Sequence, residues 1–186
     1  MDVRWAWDEA LFHALNGLGF GWLDAIFVAA SSREFGVVSL LGFVALLSVR
    51  LKGQVLLPLA QLTIAFGLSD SVGARILKPM FARLRPSFAL GDAARVLSPA
   101  ANVGSMPSLH AANAFAVATV VTLAWPRAGL VALPIATLIA VSRVGVGVHW
   151  PSDVLAGLAW GTLVALGVVF GSRALLTRRR GPPPTS

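Results

Sequence analysis

The sequence contains no cysteine and few charged residues, and both absences limit what the protein can be. Without cysteine, the chain can form neither disulfide bonds nor thiolate metal sites. Only 12% of its residues are charged and 56% are hydrophobic, whereas soluble domains carry about 25% charged residues. With a mean hydropathy of +0.78, this composition excludes an ordinary soluble domain and predicts an integral membrane protein.

The net charge of +7 could in principle indicate binding to nucleic acid. The basic residues, however, lie between apolar runs and at the C-terminus instead of forming one polar face. We therefore expect no nucleic-acid partner, and we assign these charges to loops at a membrane surface.

Five apolar runs approach or reach the roughly 20 residues that a helix needs to cross a bilayer. They are Phe35 to Leu51, Gln54 to Leu77, Pro107 to Trp125, Ala128 to Val146 and Ser152 to Leu176. A sixth run, Phe20 to Ala30, is short and is interrupted by Asp24. The sequence thus predicts an all-α, polytopic membrane bundle of about six transmembrane helices, formed as a single domain by residues 1–176. The last run also contains Gly157 and Gly161, and later Gly167 and Gly171, which predict close helix packing within the monomer.

The two ends of the chain differ from this apolar core. Residues 1–16 mix apolar positions such as Trp5 and Phe12 with Asp8 and Glu9, which predicts an amphipathic helix at the membrane interface. Residues 177–186 contain three consecutive arginines and then three consecutive prolines. We expect them to form a basic, proline-rich tail in the cytoplasm.

The distribution of Lys and Arg predicts the orientation of the bundle. Arg173, Arg127 and the Arg50/Lys52 turn fall on one side if the helices alternate in direction, and the positive-inside rule makes that side cytoplasmic. With six crossings, both termini lie in the cytoplasm. The long polar connection from Lys78 to Met106 and the turn at residues 149–153 then share the opposite face, where an excess of Lys and Arg violates the rule unless those residues bind something.

The first polar segment on that face is Lys78-x6-Arg85-Pro86. Cations beside a low-dielectric boundary are costly unless an anion neutralises them. The second segment is Pro107-Ser108-Leu109-His110, which opens a helix. Helix N-termini present free amides and a partial positive charge, so they bind phosphate readily.

The third segment is Ser142-Arg143-x5-His149-x3-Asp153, which joins two apolar runs. A histidine in such a place can act as a nucleophile or a base. Arg143 can hold an anion there, and Asp153 can orient the imidazole. Ordinary interfacial polarity is the alternative interpretation of this segment alone, and the two other segments on the same face favour the functional one.

Together the three segments resemble the signature motifs of the type 2 phosphatidic acid phosphatase superfamily, membrane lipid phosphatases that share a core with vanadium haloperoxidases. The resemblance covers residues 54–176 and keeps the motifs in order. The second motif of this family usually has glycine or serine where this chain has Leu109. Because the family uses the backbone amide at that position, leucine can still donate, while we expect its bulk to reshape the substrate entrance.

The resemblance implies a phosphatase that requires neither a metal nor another cofactor. His149 would attack phosphorus, Asp153 would orient the ring and stabilise the imidazolium, and His110 would protonate the leaving oxygen and then activate water. The residues expected to bind the phosphoryl oxygens are Lys78, Arg85, Ser108, the Leu109 amide and Arg143.

The substrate expected from these motifs is a lipid phosphate within the membrane. Three further cations, Arg75, Arg83 and Arg95, lie at or near the predicted outer face, and a second phosphate would match this surplus charge. Together with the resemblance to compact bacterial members of the family, this favours undecaprenyl diphosphate, cleaved at the periplasmic or exterior face of a bacterial inner membrane. Phosphatidylglycerophosphate, phosphatidic acid and lipid A 1-phosphate are the rival substrates.

Two other classes of protein are alternatives to an enzyme. A lipid-phosphate transporter or flippase would bind the same phosphate without cleaving it, but it would not need two histidines that each have a polar partner. A structural membrane protein would not need the cations.

Overall fold

The structure, a computed structural model, describes residues 5–99 and 102–179, with only the backbone at position 179. Within these ranges the chain is helical and contains no strand. The helices are α1 (Ala6–Asn16), α2 (Gly21–Ser31), α3 (Arg33–Leu51), α4 (Leu56–Val72), α5 (Lys78–Phe81), α6 (Pro86–Ala89), α7 (Leu109–Ala124), α8 (Pro126–Gly145) and α9 (Pro151–Arg179). Of the predicted tail, residues 177–179 continue α9, and residues 180–186 lie outside the described ranges.

Five long segments coincide with the five long apolar runs. A π-helical turn, Gly73–Leu77, joins α4 to α5, so that residues 56–81 form one span. By length and composition this span, α3, α8 and α9 can each cross a membrane. With 16 residues, α7 is shorter than the roughly 20 that a typical crossing uses. The predicted all-α membrane bundle is therefore confirmed, whereas the count of about six crossings is not.

The sixth predicted crossing, Phe20 to Ala30, does not form a spanning helix of its own. α1 and α2 each contain 11 residues and meet at an angle of 113°, and 11 helical residues rise only about 16 Å. The side chains of Asp8 and Asn16 and the carbonyl of Ser31 all bond to the last turn of α8 or the first turn of α9. Both short helices thus remain at one end of the bundle. With five alternating long segments, α1 lies at the end opposite the last turn of α9, which corrects the expectation that both termini share one side.

The basic residues predicted to be cytoplasmic gather at the other end of the bundle. The Arg50 guanidinium lies 5.1 Å from the ring centre of Trp125. Arg173 donates to the carbonyl of Leu123 at 3.1 Å. The end of α3 therefore lies beside the end of α7, which contacts the last part of α9, as the alternation of helices predicts.

The centre of the bundle is α7, which packs against α4, α8 and α9. Its small side chains allow this, and Ala112, Ala116 and Val120 are completely buried. A Cβ atom added at Gly161 would overlap the carbonyl of Ala112.

The glycines of α9 differ in their surroundings. A Cβ atom at Gly157 would overlap the carbonyl of Ser108, whereas nothing lies within 4 Å of one added at Gly167 or Gly171. The predicted packing within the monomer is thus confirmed for Gly157 and Gly161 and is absent at the later pair.

Candidate active site

The polar segments of the sequence meet at the end of the bundle that carries α1. Lys78 and Arg85 lie on either side of a turn at Ala82, whose φ of +44° ends α5. The Lys78 ammonium donates to the carbonyl of Gly104 at 2.7 Å and lies 3.4 Å from that of Ser105. These contacts tie the end of the α4–α5 span to the loop that leads into α7.

Arg85 is buried and spreads its guanidinium over several acceptors. Its Nε donates to the Asn102 carbonyl at 2.6 Å, and one Nη donates to the Asn102 side chain at 3.0 Å. The other Nη donates to the Val148 carbonyl at 2.9 Å and lies 2.8 Å from Nε2 of His149. Burial lowers the pKa of Arg85 from its ordinary value, although a guanidinium stays protonated in proteins.

The turn between α8 and α9 presents His149 to this guanidinium. The amides of Val148 and His149 both donate to the carbonyl of Arg143, each at 3.2 Å. Gly147 has a φ of +85°, and its α-carbon faces the backbone of Arg95, where a Cβ atom would overlap. A glycine is therefore needed at this position for both its conformation and its close approach.

The orientation of the His149 ring fixes which nitrogen carries the proton. Because a guanidinium only donates, Nε2 of His149 must accept from Arg85. In the neutral ring the proton then lies on Nδ1, which faces Asp153 with 3.5 Å between Nδ1 and Oδ2. Burial, and next the charge of Arg85, lower the pKa of His149 well below its ordinary value. A neutral imidazole with an unprotonated Nε2 is the form that a nucleophile requires.

Asp153 is completely buried and accepts from several donors. Oδ2 accepts from the Trp150 amide at 2.8 Å and from the Ser105 hydroxyl. Oδ1 accepts from Arg83 at 2.9 Å. The 3.5 Å between its Oδ2 and Nδ1 of His149 exceeds an ordinary hydrogen bond, and Nδ1 has no closer partner. Catalytic hydrogen bonds are often longer in the absence of substrate.

The predicted residues at the start of α7 occupy different positions. His110 and Leu109 line the cavity described below. Ser108 is completely buried, and its side chain caps α7 by accepting from the Ala111 amide. Ser108 does not line that cavity, and its expected role as a phosphate donor stays a prediction. The side chain of Leu109 lies against Gly73, where a Cβ atom would overlap it, so the absence of a side chain at Gly73 makes room for this unusual residue of the second motif.

Arg143 is held in place by Ser31, a residue that no sequence motif indicates. Its guanidinium donates to the carbonyl of Ser31 at 3.1 Å and to the Ser31 hydroxyl. Its Nε is buried and has no hydrogen-bond partner. The end of α2 thus holds Arg143 against the cavity with donor capacity left over.

A cavity of about 680 Å³ connects these groups. At its polar end lie Lys78, Arg85, Arg143, His110 and His149. The remaining wall is largely apolar and comes from α3, α4, α7 and α8, with Arg33, Glu34 and Asp70 as its charged residues. A polar, cationic end that continues into an apolar channel suits a phosphate attached to a hydrocarbon chain.

The surplus arginines do not face this cavity. Arg83 is 3% exposed and lies between two carboxylates, at 2.6 Å from Asp8 and 2.9 Å from Asp153. Arg95 pairs with Asp24 at 2.5 Å. Neither of them nor Arg75 lines the cavity. The expectation that all three could bind a second phosphate is therefore wrong, because two of them are neutralised within the protein.

Comparison with known proteins agrees with the geometry. A sequence model of the PAP2 superfamily matches residues 55–175, more than half of the chain. A lipid A 1-phosphatase from Rhizobium johnstonii is 38% identical over 74 residues, which are 39% of this chain and 30% of that protein. The chain thus matches less than a third of the length of this curated relative.

Two crystal structures resemble the whole bundle. LpxE from Aquifex aeolicus superposes with a TM-score of 0.75 and 25% identity, covering 91% of this chain and 99% of that one. A PAP2-type phosphatidylglycerolphosphate phosphatase from Bacillus subtilis gives a TM-score of 0.69 and 26% identity, covering 91% and 86%. By its sequence match and its fold, this chain belongs to the PAP2 superfamily and has the architecture of its membrane lipid phosphatases.

Proposed function

We propose that this protein removes a phosphate group from a membrane lipid by transferring it first to His149 and then to water. The observation that carries this proposal is the orientation of the His149 ring. Nε2 faces the cationic end of the cavity at 2.8 Å from Arg85, and Nδ1 faces Asp153. A ring held between a cation and a carboxylate in this way suits a nucleophile that becomes positively charged during the reaction.

In the first step, Nε2 of His149 attacks phosphorus and the bond from phosphorus to the lipid oxygen breaks. Arg85 must release Nε2 for this attack, and the incoming phosphate offers its oxygens to the guanidinium instead. Nδ1 keeps its proton, and Asp153 stabilises the positive charge of the phosphorylated ring. His110, at the start of α7 and within the cavity, donates a proton to the leaving oxygen.

In the second step, His110 takes a proton from water and the resulting hydroxide attacks phosphorus. The phosphorus–nitrogen bond breaks, inorganic phosphate leaves, and His149 returns to its neutral form. General acid and base catalysis of this kind typically contributes about 10²–10⁴-fold to the rate.

We also propose that the reaction needs no metal ion. Positive charge at the cavity comes from Lys78, Arg85 and Arg143, which can neutralise the equatorial phosphoryl oxygens. In the described part of the chain, no group of three His, Asp, Glu or Cys side chains is arranged to hold a metal ion.

The proposed substrate is a phosphate monoester of a lipid, bound with its chain along the apolar wall of the cavity. The named substrates of the relatives, lipid A 1-phosphate and phosphatidylglycerolphosphate, belong to this class. Undecaprenyl diphosphate is the second candidate. One cation outside the motifs, Arg33 at the start of α3, lines the cavity and could bind an additional phosphate. We place the site at the periplasmic or exterior face of a bacterial inner membrane because the opposite end of the bundle carries the basic turns.

The decisive experiment measures phosphate release by the purified protein in detergent, with a chelator present. His149→Ala should abolish turnover, while His110→Ala and Asp153→Asn should each lose at least about 10²-fold. Full activity in His149→Ala, or a strict need for a divalent metal, would exclude the mechanism. Tight lipid binding without phosphate release would instead indicate a transporter.

The same assay distinguishes the substrates by kcat/KM across a panel of lipids. Arg33→Ala should lower kcat/KM for undecaprenyl diphosphate if that lipid is the substrate, and leave it unchanged for monophosphates. Arg75→Ala is a matched control, because Arg75 is exposed and lies outside the cavity.

A further inference from the structure

The N-terminal helix buries two polar residues, Asp8 and Asn16, on either side of Phe12, while apolar residues on its outer face are exposed. Asp8, Phe12 and Asn16 follow one another at intervals of four on its inner face, and Asp8 is completely buried. Trp7 and Leu11 are exposed at 52% and 44%. A buried carboxylate is costly unless it is paired and hydrogen-bonded, so the inner face of α1 must meet a site that needs a negative charge.

Asp8 contacts the first turn of α9, which contains Asp153. Its Oδ1 accepts from the Ser152 amide at 2.8 Å, and its Oδ2 accepts from the Ser152 hydroxyl at 2.5 Å. Oδ2 also accepts from Nη2 of Arg83 at 2.6 Å. One carboxylate thus caps α9 and binds the arginine that is bonded to Asp153.

Arg83 connects the two carboxylates through different nitrogens. Nη1 donates to Asp153 at 2.9 Å and to the Ser152 hydroxyl at 2.6 Å, whereas Nη2 donates to Asp8. The centre of the guanidinium lies 4.9 Å from the ring centre of Trp5 and 5.3 Å from that of Trp150. Two carboxylates around one guanidinium leave a net negative charge, and that charge faces Nδ1 of His149 through Asp153.

We propose that Asp8 is a positioning residue for phosphoryl transfer: by neutralising Arg83 and holding Ser152, it keeps the carboxylate of Asp153 in place and its negative charge available to His149. This inference rests on the proposed roles of His149 and Asp153. Without Asp8, Asp153 would have to balance a larger share of the charge of Arg83, and the phosphorylated imidazolium would lose part of its stabilisation. The N-terminal helix is then a component of the catalytic centre, although none of its residues lines the cavity.

This role predicts a change in the pH profile. The charged groups around His149 are Lys78, Arg85, Arg143 and His110 toward the cavity, with Asp153 and the Asp8–Arg83 pair on the other side. Removing the charge of Asp8 makes the electrostatic potential at the His149 ring less negative, so the protonated imidazole becomes less stable. The acid limb of kcat/KM, where His149 gains a proton, should therefore move to lower pH.

The test compares Asp8→Asn with Asp8→Glu and with Glu9→Gln, measured as phosphate release from a lipid phosphate in detergent. Glu9→Gln is the matched control, because it makes the same chemical change one residue along the same helix, on a partly exposed side chain. Asp8→Asn should lower kcat roughly ten- to a hundredfold, with a smaller change in KM and an acid limb at lower pH. Asp8→Glu should restore part of kcat and the wild-type pH profile, and Glu9→Gln should change neither.

A double variant separates charge from packing. Asp8→Asn combined with Arg83→Met removes both members of the ion pair and leaves Asp153 with its full charge, so it should be more active than Asp8→Asn alone. A merely structural role predicts the opposite order, because two packing defects are worse than one. If Asp8→Asn does not fold, the comparison of Asp8→Glu with the double variant provides the test: recovery of activity and of the pH profile supports the proposal, and inactivity of both folded proteins overturns it.

Two results would refute the inference without affecting the proposed function. These are a folded Asp8→Asn protein with wild-type kcat, and a double variant that is less active than Asp8→Asn, in each case while His149→Ala remains inactive. If His149→Ala itself retains activity, the proposed function fails, whatever Asp8 does.

Discussion

The contact between α7 and α9 predicts that one methyl group at Gly157 impairs both stability and catalysis. Gly157 lies one turn after Asp153 on α9. In Gly157→Ala the new Cβ atom would overlap the Ser108 carbonyl and would lie 3.1 Å from Cβ of Ala111. Carbon atoms prefer separations of about 3.5–4.0 Å, so the two helices must move apart by an amount on the order of 1 Å.

The magnitude follows from the positions of the displaced groups. Overpacking of a close contact costs about 1–3 kcal/mol, and at this chain length each kcal/mol lowers Tm by roughly 2–4 °C. The displaced turn of α7 carries His110, whereas α9 carries Asp153. Misplacing one group by about 1 Å relative to another can cost ~10²-fold in rate, so kcat should fall by a factor of roughly ten to a hundred.

The assay is phosphate release together with thermal unfolding followed by tryptophan fluorescence in detergent. Gly167→Ala is the control, because it lies on the same helix and nothing occupies the space around its new methyl group. It should leave kcat unchanged and stabilise the helix by up to about 0.5–1 kcal/mol. Wild-type Tm and kcat in Gly157→Ala would refute the argument that this glycine sets the distance between the two halves of the site.

Three further predictions follow from the site and the topology. Single cysteines at Ala10 and Ala93 should react with an impermeant reagent from the same side of the membrane, and one at Thr177 from the other side. Labelling of Ala10→Cys and Thr177→Cys from the same side would instead support the six-crossing topology. Arg85→Lys should lower kcat/KM by about 10²–10³-fold, because a single ammonium cannot reproduce a guanidinium that bonds Asn102 and His149 at once; near-normal activity would mean that charge alone suffices. Burial and the charge of Arg85 lower the pKa of His149, so the imidazole stays neutral at pH values below the ordinary histidine pKa of about 6.5. The value of kcat/KM should therefore be maintained at these lower pH values, and an acid limb at or above about pH 6.5 would contradict this.

The predicted helices were largely correct because apolar length is a local property. Each of the five long apolar runs became a helix, with ends shifted by up to four residues, as between Leu77 and Phe81. The error at Phe20 to Ala30 has a physical reason: an 11-residue helix is apolar enough for a membrane but too short to cross it. Its polar contacts are to residues distant in sequence, and they hold it at the end of the bundle that carries the site.

The substrate prediction depended on charge that could not be assigned from sequence. The sequence indicates no partner for Arg83 or Arg95, because each lies in the polar loop beside the motifs. Their carboxylate partners, Asp8 and Asp24, precede them by more than 70 residues. No local pattern connects such pairs. Only the fold shows that carboxylates within the protein neutralise these two arginines.

The sequence by itself determined the membrane environment, the five long helices and the three polar segments at one end of the bundle, because hydrophobic length and motif spacing act over short stretches of chain. Only the tertiary structure decided that Ser31 holds Arg143, that Ser108 faces inward as a cap, and that Asp8 and Arg83 support Asp153 from behind. The contacts of Ser31, Asp8 and Arg83 span 69 to 144 positions of the chain. They arise where helix ends converge in space, and burial there forces every charge to find a partner.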